Sequence, residues 1–304
     1  MKQEFKGFLY RETPKQHKYY LDGVEMTGTT TFLKSSGDTS GLQVWSANQG
    51  ASKAFIIANN LTKQPDKGLA YLEALATRLE GYKKLDYKAV QEVDKEFPEF
   101  KEARNAFGDI RDTAADSGTE AHSIIEHFEL TNGLPVGIDQ LYSAEAIKKA
   151  KVIVDWHKEN VEQVYFSEKP LFSRSMFVGG KPDGGVRTKD GKNLIKDNKF
   201  KSGLYSPHPI LQMTGYAMMI EEMAQDDTTP IRLELRDGTI EEYKSPKEYL
   251  GAIGGVKWDG LVILWVNDDG RLEPIYRYAM EHDKEQVRNC LSFYRYEQNW
   301  KSLK

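Results

Sequence analysis

The sequence predicts an α/β fold in which a mixed β-sheet is flanked by helices. Turn residues at Gly184 and Gly185 and at Asp190 and Gly191 lie between Asp183 and Asp197, so this segment has room for one tight β-hairpin. The run GLVILWV at 260–266 has the length and apolar character of a buried strand. Segments with capping residues and helical spacing begin near Gly118 and Ser206. Strands and helices therefore alternate along the core of the chain.

Length and composition bound the organisation of the chain. With 304 residues and a mass of 34.7 kDa, it can bury a substantial core. We predict an N-terminal region with a β-hairpin and helices over 1–115, and a core domain with a C-terminal helix over 116–304. The sequence has no apolar run of membrane-spanning length, and its charged start lacks a signal-peptide core. We therefore expect no membrane contact and a location in the cytosol of the cell that makes it.

The core elements follow one another in a defined order. A helix is expected from Gly118, with Asp116, Ser117 or Thr119 as its cap. A hairpin follows, and then a second helix that runs from Ser206 to Met223. Two further hairpins are predicted over 231–243 and 260–278, and a final helix is predicted over 283–300.

The predicted hairpin carries three charged side chains of the types that bind metals and take part in catalysis. Asp183 is expected on its first strand, and its second strand contains Asp197, Asn198 and Lys199. Because side chains alternate along a strand, Asp197 and Lys199 share one face. Two carboxylates and an ammonium group are the parts needed to hold a divalent metal and activate water against a phosphodiester. The alternative is ordinary turn chemistry on a solvated strand.

The two flanking helices add polar side chains at helical spacing. His122 and Glu126 are four residues apart, as are Gln212 and Tyr216, so each pair shares a helix face. A zinc protease is excluded, because His122 and His127 are five residues apart and neither HExxH nor HxxEH is present. The remaining histidines share no ligand spacing and are expected on the surface or in loops: His17, His157, His208 and His282.

The order of these motifs resembles the RecB-like branch of the PD-(D/E)XK nucleases, which includes the CRISPR-adaptation nucleases and the mitochondrial genome-maintenance exonuclease. The resemblance covers about Gly118 to Tyr216, and it extends to segments within 17–45 that are similar to phage-type members. It implies a restriction-endonuclease-like fold and an Mg²⁺- or Mn²⁺-dependent deoxyribonuclease. The single cysteine, Cys290, leaves too few thiolates for the iron–sulfur cluster that some members carry.

The resemblance also implies roles for individual residues. His122, Asp183 and Asp197 would be metal ligands, with the backbone carbonyl of Asn198 completing the oxygen-rich shell. Lys199 would orient the attacking water or neutralise charge on the transition-state phosphate. The side chains expected at the substrate are Gln212, Tyr216, Lys181 and Ser202. Family members usually have Thr or Ser directly after the lysine; this position is Phe200 here, so the hydroxyl contact to phosphate is either absent or supplied by Ser202.

Several positions keep two interpretations. Glu126 and Glu168 match acidic positions of the family, but Glu126 could be a solvated helix residue and Glu168 could begin a strand over 169–172. Lys196 and Asn198 stand where apolar residues are usual, and we interpret their strand as an edge or partly solvated strand.

The charge distribution is relevant to the expected partner. The net charge is −4, but 174–203 contains eight basic and three acidic residues, which favours a phosphate-facing surface. Aromatic residues of the helical region could stack on bases or could be core residues: Tyr82, Tyr87, Phe97, Phe100 and Phe107.

The functional expectation is a metal-dependent nuclease that hydrolyses DNA, most simply an exonuclease in phage DNA recombination, repair or replication. The expected partners are a DNA strand or duplex end and a recombination or single-strand-binding protein. The alternatives are a structure-selective endonuclease and a DNA-binding subunit of a recombination complex without catalysis.

Overall fold

The computed structural model describes residues 5–13, 16–35, 70, 95–96, 117–200, 207–254, 257–267, 269–278 and 280–302. Two compact units are present, one formed by Met1–Gly37 with Gly118–Lys304 and the other by Asp38–Ser117. Several predicted features lie outside the described residues, namely nearly all of the N-terminal helical region, with Tyr82, Tyr87, Phe97, Phe100 and Phe107, and Ser202.

The described strands form three sheets. Their bounds are β1 Phe8–Thr13, β2 Gln16–Leu21, β3 Val24–Glu25, β4 Thr27–Gly28, β5 Val161–Ser167, β6 Leu171–Ser173, β7 Val178–Gly180, β8 Gly184–Thr188, β9 Asn193–Phe200, β10 Ile231–Glu234, β11 Ile240–Tyr243, β12 Gly260–Val266 and β13 Leu272–Arg277.

The helices confirm the α/β class. They are α1 Thr29–Ser35, α2 over 117–131, α3 Ile138–Leu141, α4 Ala144–Asn160, α5 His208–Met223, α6 Pro246–Ala252 and α7 Glu281–Ser302. The predicted helices that carry His122, Gln212 and Cys290 correspond to α2, α5 and α7. In the described ranges, no helix combines the length and the apolar composition that crossing a membrane requires.

The main sheet has the strand order β13-β12-β9-β8-β5. The predicted hairpin is confirmed, because β8 and β9 pair antiparallel with a turn at Asp190 and Gly191. The other predicted turn is wrong, since Gly184 and Gly185 belong to strand β8, and Asp183 precedes this strand instead of lying on it. Gly191 adopts a φ of +86° in its turn, a conformation that glycine reaches without steric penalty. The predicted hairpin of β12 and β13 is also confirmed, and β12 pairs parallel with β9. The strand that carries Asp197 and Lys199 is therefore the central strand of the sheet.

Helices cover both faces of this sheet. Leu194 of β9 belongs to the apolar cluster that contains Ile124 of α2 and Ile153 of α4. The next residue, Ile195, belongs to the other cluster, together with Met213 of α5. Because consecutive strand residues point to opposite faces, the two clusters lie on the two sides of the sheet. The result is a mixed sheet buried between helical layers.

A second sheet joins the N-terminal hairpin to the core. Its order is β11-β10-β1-β2-β3, in which β1 runs parallel to β10 and antiparallel to β2. The predicted hairpin over 231–243 is confirmed as β10 and β11, with Gly238 at a φ of +87°. A small third sheet has the order β4-β7-β6, and its strand β7 ends three residues before Asp183.

Gly180 at the end of β7 shows how closely this strand is packed. A Cβ atom there would overlap the ring of the buried Tyr216 and lie 2.7 Å from Oγ1 of Thr29. We expect Gly180→Ala to lower the free energy of unfolding by about 1–3 kcal/mol through overpacking. Gly251→Ala in α6 is the matched control, since its Cβ would meet nothing within 4 Å. Urea unfolding measures both, and equal stability of Gly180→Ala and the wild type would contradict this packing.

Candidate metal centre

Three side chains of ligand type converge beside the main sheet. His122 projects from α2, Glu168 lies between β5 and β6, and Asp183 directly precedes β8. One ligand atom from each lies within 4.8 Å of the other two. His122 Nδ1 is 3.4 Å from Asp183 Oδ2 and 3.9 Å from Glu168 Oε1. Imidazole nitrogen and carboxylate oxygen are ligand types that divalent cations accept, so the donor set fits such an ion.

The backbone holds the two carboxylates in place. The Asn198 N–H donates to Asp183 Oδ2 at 2.6 Å, and the Glu168 N–H donates to the Asp183 carbonyl oxygen at 3.2 Å. Glu168 has a φ of +51°, a left-handed conformation that is unfavourable for a side chain with a Cβ. Such residues cost about 1–3 kcal/mol and concentrate at functional sites. Glu168 does not begin strand β6, which starts at Leu171.

Asp197 and Lys199 form an ion pair on β9. Lys199 Nζ lies 2.6 Å from Asp197 Oδ2, which agrees with the predicted shared face of the strand. Burial raises the pKa of Asp197 despite the nearby Lys199 ammonium group. Burial also acts to lower the pKa of Lys199, but the carboxylates of Asp197 and Asp183 raise it overall. Lys199 therefore keeps its positive charge beside the two aspartates.

A further ion pair links Glu168 to the N-terminal hairpin. Lys181 Nζ is 2.8 Å from Glu168 Oε2 and 3.4 Å from Glu12 Oε1 on β1. Burial, together with the negative charge of Asp183, raises the pKa of Glu168 to about 7. Burial also acts to raise the pKa of Asp183, but His122 and Lys199 lower it overall. Glu168 and Asp183 therefore release their protons at different pH values, as is usual for two carboxyl groups that share one site.

The Gln212 and Tyr216 pair supports the chain that leads to Asp183. Gln212 Nε2 donates to the Tyr216 hydroxyl at 2.7 Å, and burial raises the pKa of that hydroxyl. The Tyr216 ring lies against Gly180, and Thr29 Oγ1 donates to the Gly179 carbonyl oxygen at 3.0 Å. These contacts fix the end of β7, from which the chain continues to Lys181 and Asp183.

The other predicted site residues do not belong to the group of three ligand side chains. Glu126 is half-buried on the His122 side of α2, where burial raises its pKa, but it does not belong to the three-ligand group. Asn198 contributes its N–H to Asp183 and has a buried side chain. Lys181 is engaged by two carboxylates. Glu12 was not predicted at all, since it lies more than a hundred residues before Lys181 and belongs to no motif.

Two expectations from the sequence are wrong. The strand with Lys196 is neither an edge strand nor partly solvated, because β9 is central and the Lys196 side chain is 0% exposed. Its charge is paired with Glu129, whose Oε1 lies 2.7 Å from Lys196 Nζ. His157 is not a surface residue either, since it is buried in α4 with Nε2 3.0 Å from the same Glu129 oxygen.

Within 174–200, the described part of the basic segment, most basic side chains are paired with carboxylates. Five of its basic side chains are neutralised by carboxylates, which weakens the prediction of a phosphate-facing field. The pairs are Arg174 with Asp22, Lys181 with Glu168, Arg187 with Glu162, Lys196 with Glu129, and Lys199 with Asp197.

Comparisons with known proteins do not assign this chain. A scan against protein-family models finds no match, and a search of curated proteins finds no significant match. The geometry of the site therefore has to support any functional proposal.

The raised pKa of Glu168 predicts a pH-dependent metal affinity. Below about pH 7, binding must displace the Glu168 proton, so the Mn²⁺ affinity should fall by up to about tenfold per pH unit. Calorimetric titrations at a series of pH values measure this slope. Glu168→Gln should bind Mn²⁺ more weakly at high pH and show a shallower slope. His122, Asp183 and Lys181 face Glu168 in both proteins, so equal slopes would contradict a ligand role for Glu168.

Proposed function

We propose that this protein hydrolyses DNA phosphodiesters with Mg²⁺ or Mn²⁺ as its cofactor. The observation that carries the proposal is the convergence of His122, Glu168 and Asp183 next to the Asp197–Lys199 ion pair. A cluster of imidazole and carboxylate groups suits a divalent ion, and a charged lysine beside it suits an anionic substrate. These groups come from helix α2, from two loop positions and from strand β9, which the fold brings together.

His122, Glu168 and Asp183 would hold the ion, and Asp197 is a further carboxylate at the same place. A bound divalent ion would polarise the phosphate and lower the pKa of the attacking water. Lys199 supplies a fixed positive charge, held by Asp197, that can orient the water or stabilise the phosphate in the transition state. The ligand side chains are 30%, 17% and 13% exposed for His122, Glu168 and Asp183, so solvent reaches the site.

Within this class we propose an exonuclease of the RecB-like branch, with a restriction-endonuclease-like fold and a role in phage DNA recombination, repair or replication. The motif order supports this finer proposal, as does the central position of the strand that carries Asp197 and Lys199. The runner-up is a DNA-binding subunit without catalysis. The Lys199 charge argues against it, because binding alone does not need an ammonium group held by Asp197 beside a cluster of metal-type side chains.

The test is a cleavage assay on three substrates. A linear single strand, the same strand circularised and a blunt duplex are incubated with Mn²⁺ or with EDTA, using the wild type and Asp183→Asn. The asparagine keeps an oxygen to accept the Asn198 N–H, so the loop geometry should survive. We expect Mn²⁺-dependent loss of substrates with ends, and no cleavage by the variant.

The other outcomes separate the competing functions. Cleavage of the circular strand would replace the exonuclease by an endonuclease, since an exonuclease needs an end. Binding of both Mn²⁺ and DNA by the wild type without cleavage of any substrate would overturn the proposal in favour of the binding subunit. Cleavage by Asp183→Asn at the wild-type rate would show that the site lies elsewhere.

A further inference from the structure

Behind the candidate metal centre lies a cluster of ionisable side chains that the proposed chemistry does not use. Glu129 of α2 and Lys196 of β9 have side chains that are 0% exposed, and the side chain of His157 of α4 is 2% exposed. Glu129 Oε1 is 2.7 Å from Lys196 Nζ and 3.0 Å from His157 Nε2. We call these three residues the buried triad.

The directions of the pKa shifts in the buried triad favour an ion pair between Glu129 and Lys196 and a neutral imidazole at His157. Burial acts to lower the pKa of Lys196, but Glu129 and Asp183 raise it overall. Burial acts to raise the pKa of Glu129, yet Lys196 and His157 lower it overall. Burial lowers the pKa of His157 and favours its neutral form. Since apolar residues of similar volume often stabilise a core as well as a buried ion pair does, stability alone does not account for these charges.

The triad joins elements that carry the metal-type side chains. Glu129 is seven residues after His122, which places both on nearly the same face of α2 two turns apart. Lys196 directly precedes Asp197 on β9 and is the cross-strand partner of Gly184. Glu129 and Lys196 therefore tie the helix that presents His122 to the strand that presents Asp197.

Gly184 extends this connection to Asp183. A Cβ atom at Gly184 would lie 2.9 Å from Lys196 Cε and 2.9 Å from the Phe166 carbonyl oxygen. The Lys196 side chain thus passes over the glycine that follows Asp183, on its way to Glu129. A shift of Lys196 would displace both the backbone at Asp183 and helix α2, because close-packed cores transmit strain.

We propose that Glu129, Lys196 and His157 are positioning residues that fix α2 against β8 and β9 and so set the spacing of His122 and Asp183 for metal binding. This inference rests on the proposed metal centre, although none of the three residues belongs to its ligand group. A pair of opposite charges has only one good arrangement in a core, whereas apolar contacts permit several. The triad would supply the geometry, and the surrounding apolar residues would supply the stability.

The test replaces the ion pair by apolar residues of similar size. For the double variant Glu129→Leu with Lys196→Met, thermal unfolding is measured without metal, Mn²⁺ affinity by calorimetry, and amide hydrogen exchange of α2 in the metal-free protein. We expect an unfolding temperature close to that of the wild type and faster amide exchange in α2. The Mn²⁺ affinity should be about 10–100-fold lower, the usual effect of changing residues that orient metal ligands.

Two further variants make the result decisive. Glu162→Leu with Arg187→Met removes an exposed ion pair between β5 and β8 and should leave affinity and exchange unchanged. His157→Phe keeps a ring in place and retains the Glu129–Lys196 pair. It should lower Mn²⁺ affinity several-fold, and it provides the test if the double variant does not fold.

The positioning role would be overturned if the folded double variant showed the Mn²⁺ affinity and the α2 amide exchange of the wild type. If the double variant does not fold, the same result for His157→Phe would overturn it. The readouts also separate this inference from the proposed function. A wild type that binds Mn²⁺ but cleaves no DNA would refute the nuclease and leave the positioning role standing on affinity. A wild type that binds no Mn²⁺ would refute the metal centre, and unchanged exchange in the variants would then refute the positioning role as well.

Discussion

Replacement of Lys199 by methionine is expected to reduce Mn²⁺-dependent DNA cleavage by on the order of 10²–10³-fold, the usual effect of removing one fixed charge at a reacting centre. The Mn²⁺ affinity should change by much less, because the ligand group consists of His122, Glu168 and Asp183. Single-turnover cleavage rates and calorimetric Mn²⁺ titrations measure the two quantities separately. The physical reason is that an ammonium group acts on the anionic phosphate and is never itself a metal ligand.

Methionine is chosen because it fills nearly the same volume as the lysine stem. Lys199 is 21% exposed and its Nζ lies 2.6 Å from Asp197 Oδ2, so the variant leaves Asp197 without its partner. A circular dichroism spectrum and a thermal unfolding curve are needed to show that the sheet persists.

Asp183→Asn provides the contrast, since it should lose Mn²⁺ binding and cleavage together. If Lys199→Met cleaved DNA at the wild-type rate while Asp183→Asn did not, Lys199 would have no part in the reaction.

Much of this site could be predicted because its elements are specified locally. The turn at Asp190 and Gly191 determines the β8–β9 hairpin, and strand alternation then places Asp197 and Lys199 on one face. Helical spacing places Gln212 next to Tyr216, and the structure gives them a direct hydrogen bond. Each of these relations spans only a few residues, so no knowledge of the tertiary fold is needed.

The remaining features depend on contacts between distant parts of the chain. Glu168 gains its position from an unusual φ of +51° and from a backbone hydrogen bond to Asp183, neither of which a sequence pattern reveals. Glu12 lies on β1, in a different sheet from β7, and it meets Lys181 across a sequence separation of 169 residues. Neither position could be deduced from spacing.

The burial of Lys196 escapes sequence patterns for a related reason. A lysine within a strand ordinarily indicates that its position is exposed to solvent. Lysine is almost never fully buried unless a partner is buried with it. The partner, Glu129, lies on a different element far along the sequence, and its own helical pattern gives no sign of burial. Buried ion pairs are therefore invisible until the packing of helix on sheet is known.

This pair gives the largest expected effect on stability. Glu129→Gln should lower the free energy of unfolding by about 3–5 kcal/mol, because it leaves the ammonium group of Lys196 buried without a counter-charge. The substitution changes one oxygen to nitrogen and hardly alters volume, so a cavity cannot explain the loss. Urea unfolding at neutral pH, followed by circular dichroism, measures the change.

The exposed pair of Arg187 and Glu162 is the matched control. Their side chains are 44% and 57% exposed, so Glu162→Gln should cost no more than about 1 kcal/mol, as is usual for solvated ion pairs. Adding Lys196→Met to Glu129→Gln should recover most of the lost stability, since the unpaired charge is then removed. If the double variant were as unstable as Glu129→Gln alone, the loss would come from the Glu129 site itself and not from an unpaired lysine. Recovery would show that the two charges are tolerated in this core only as a pair.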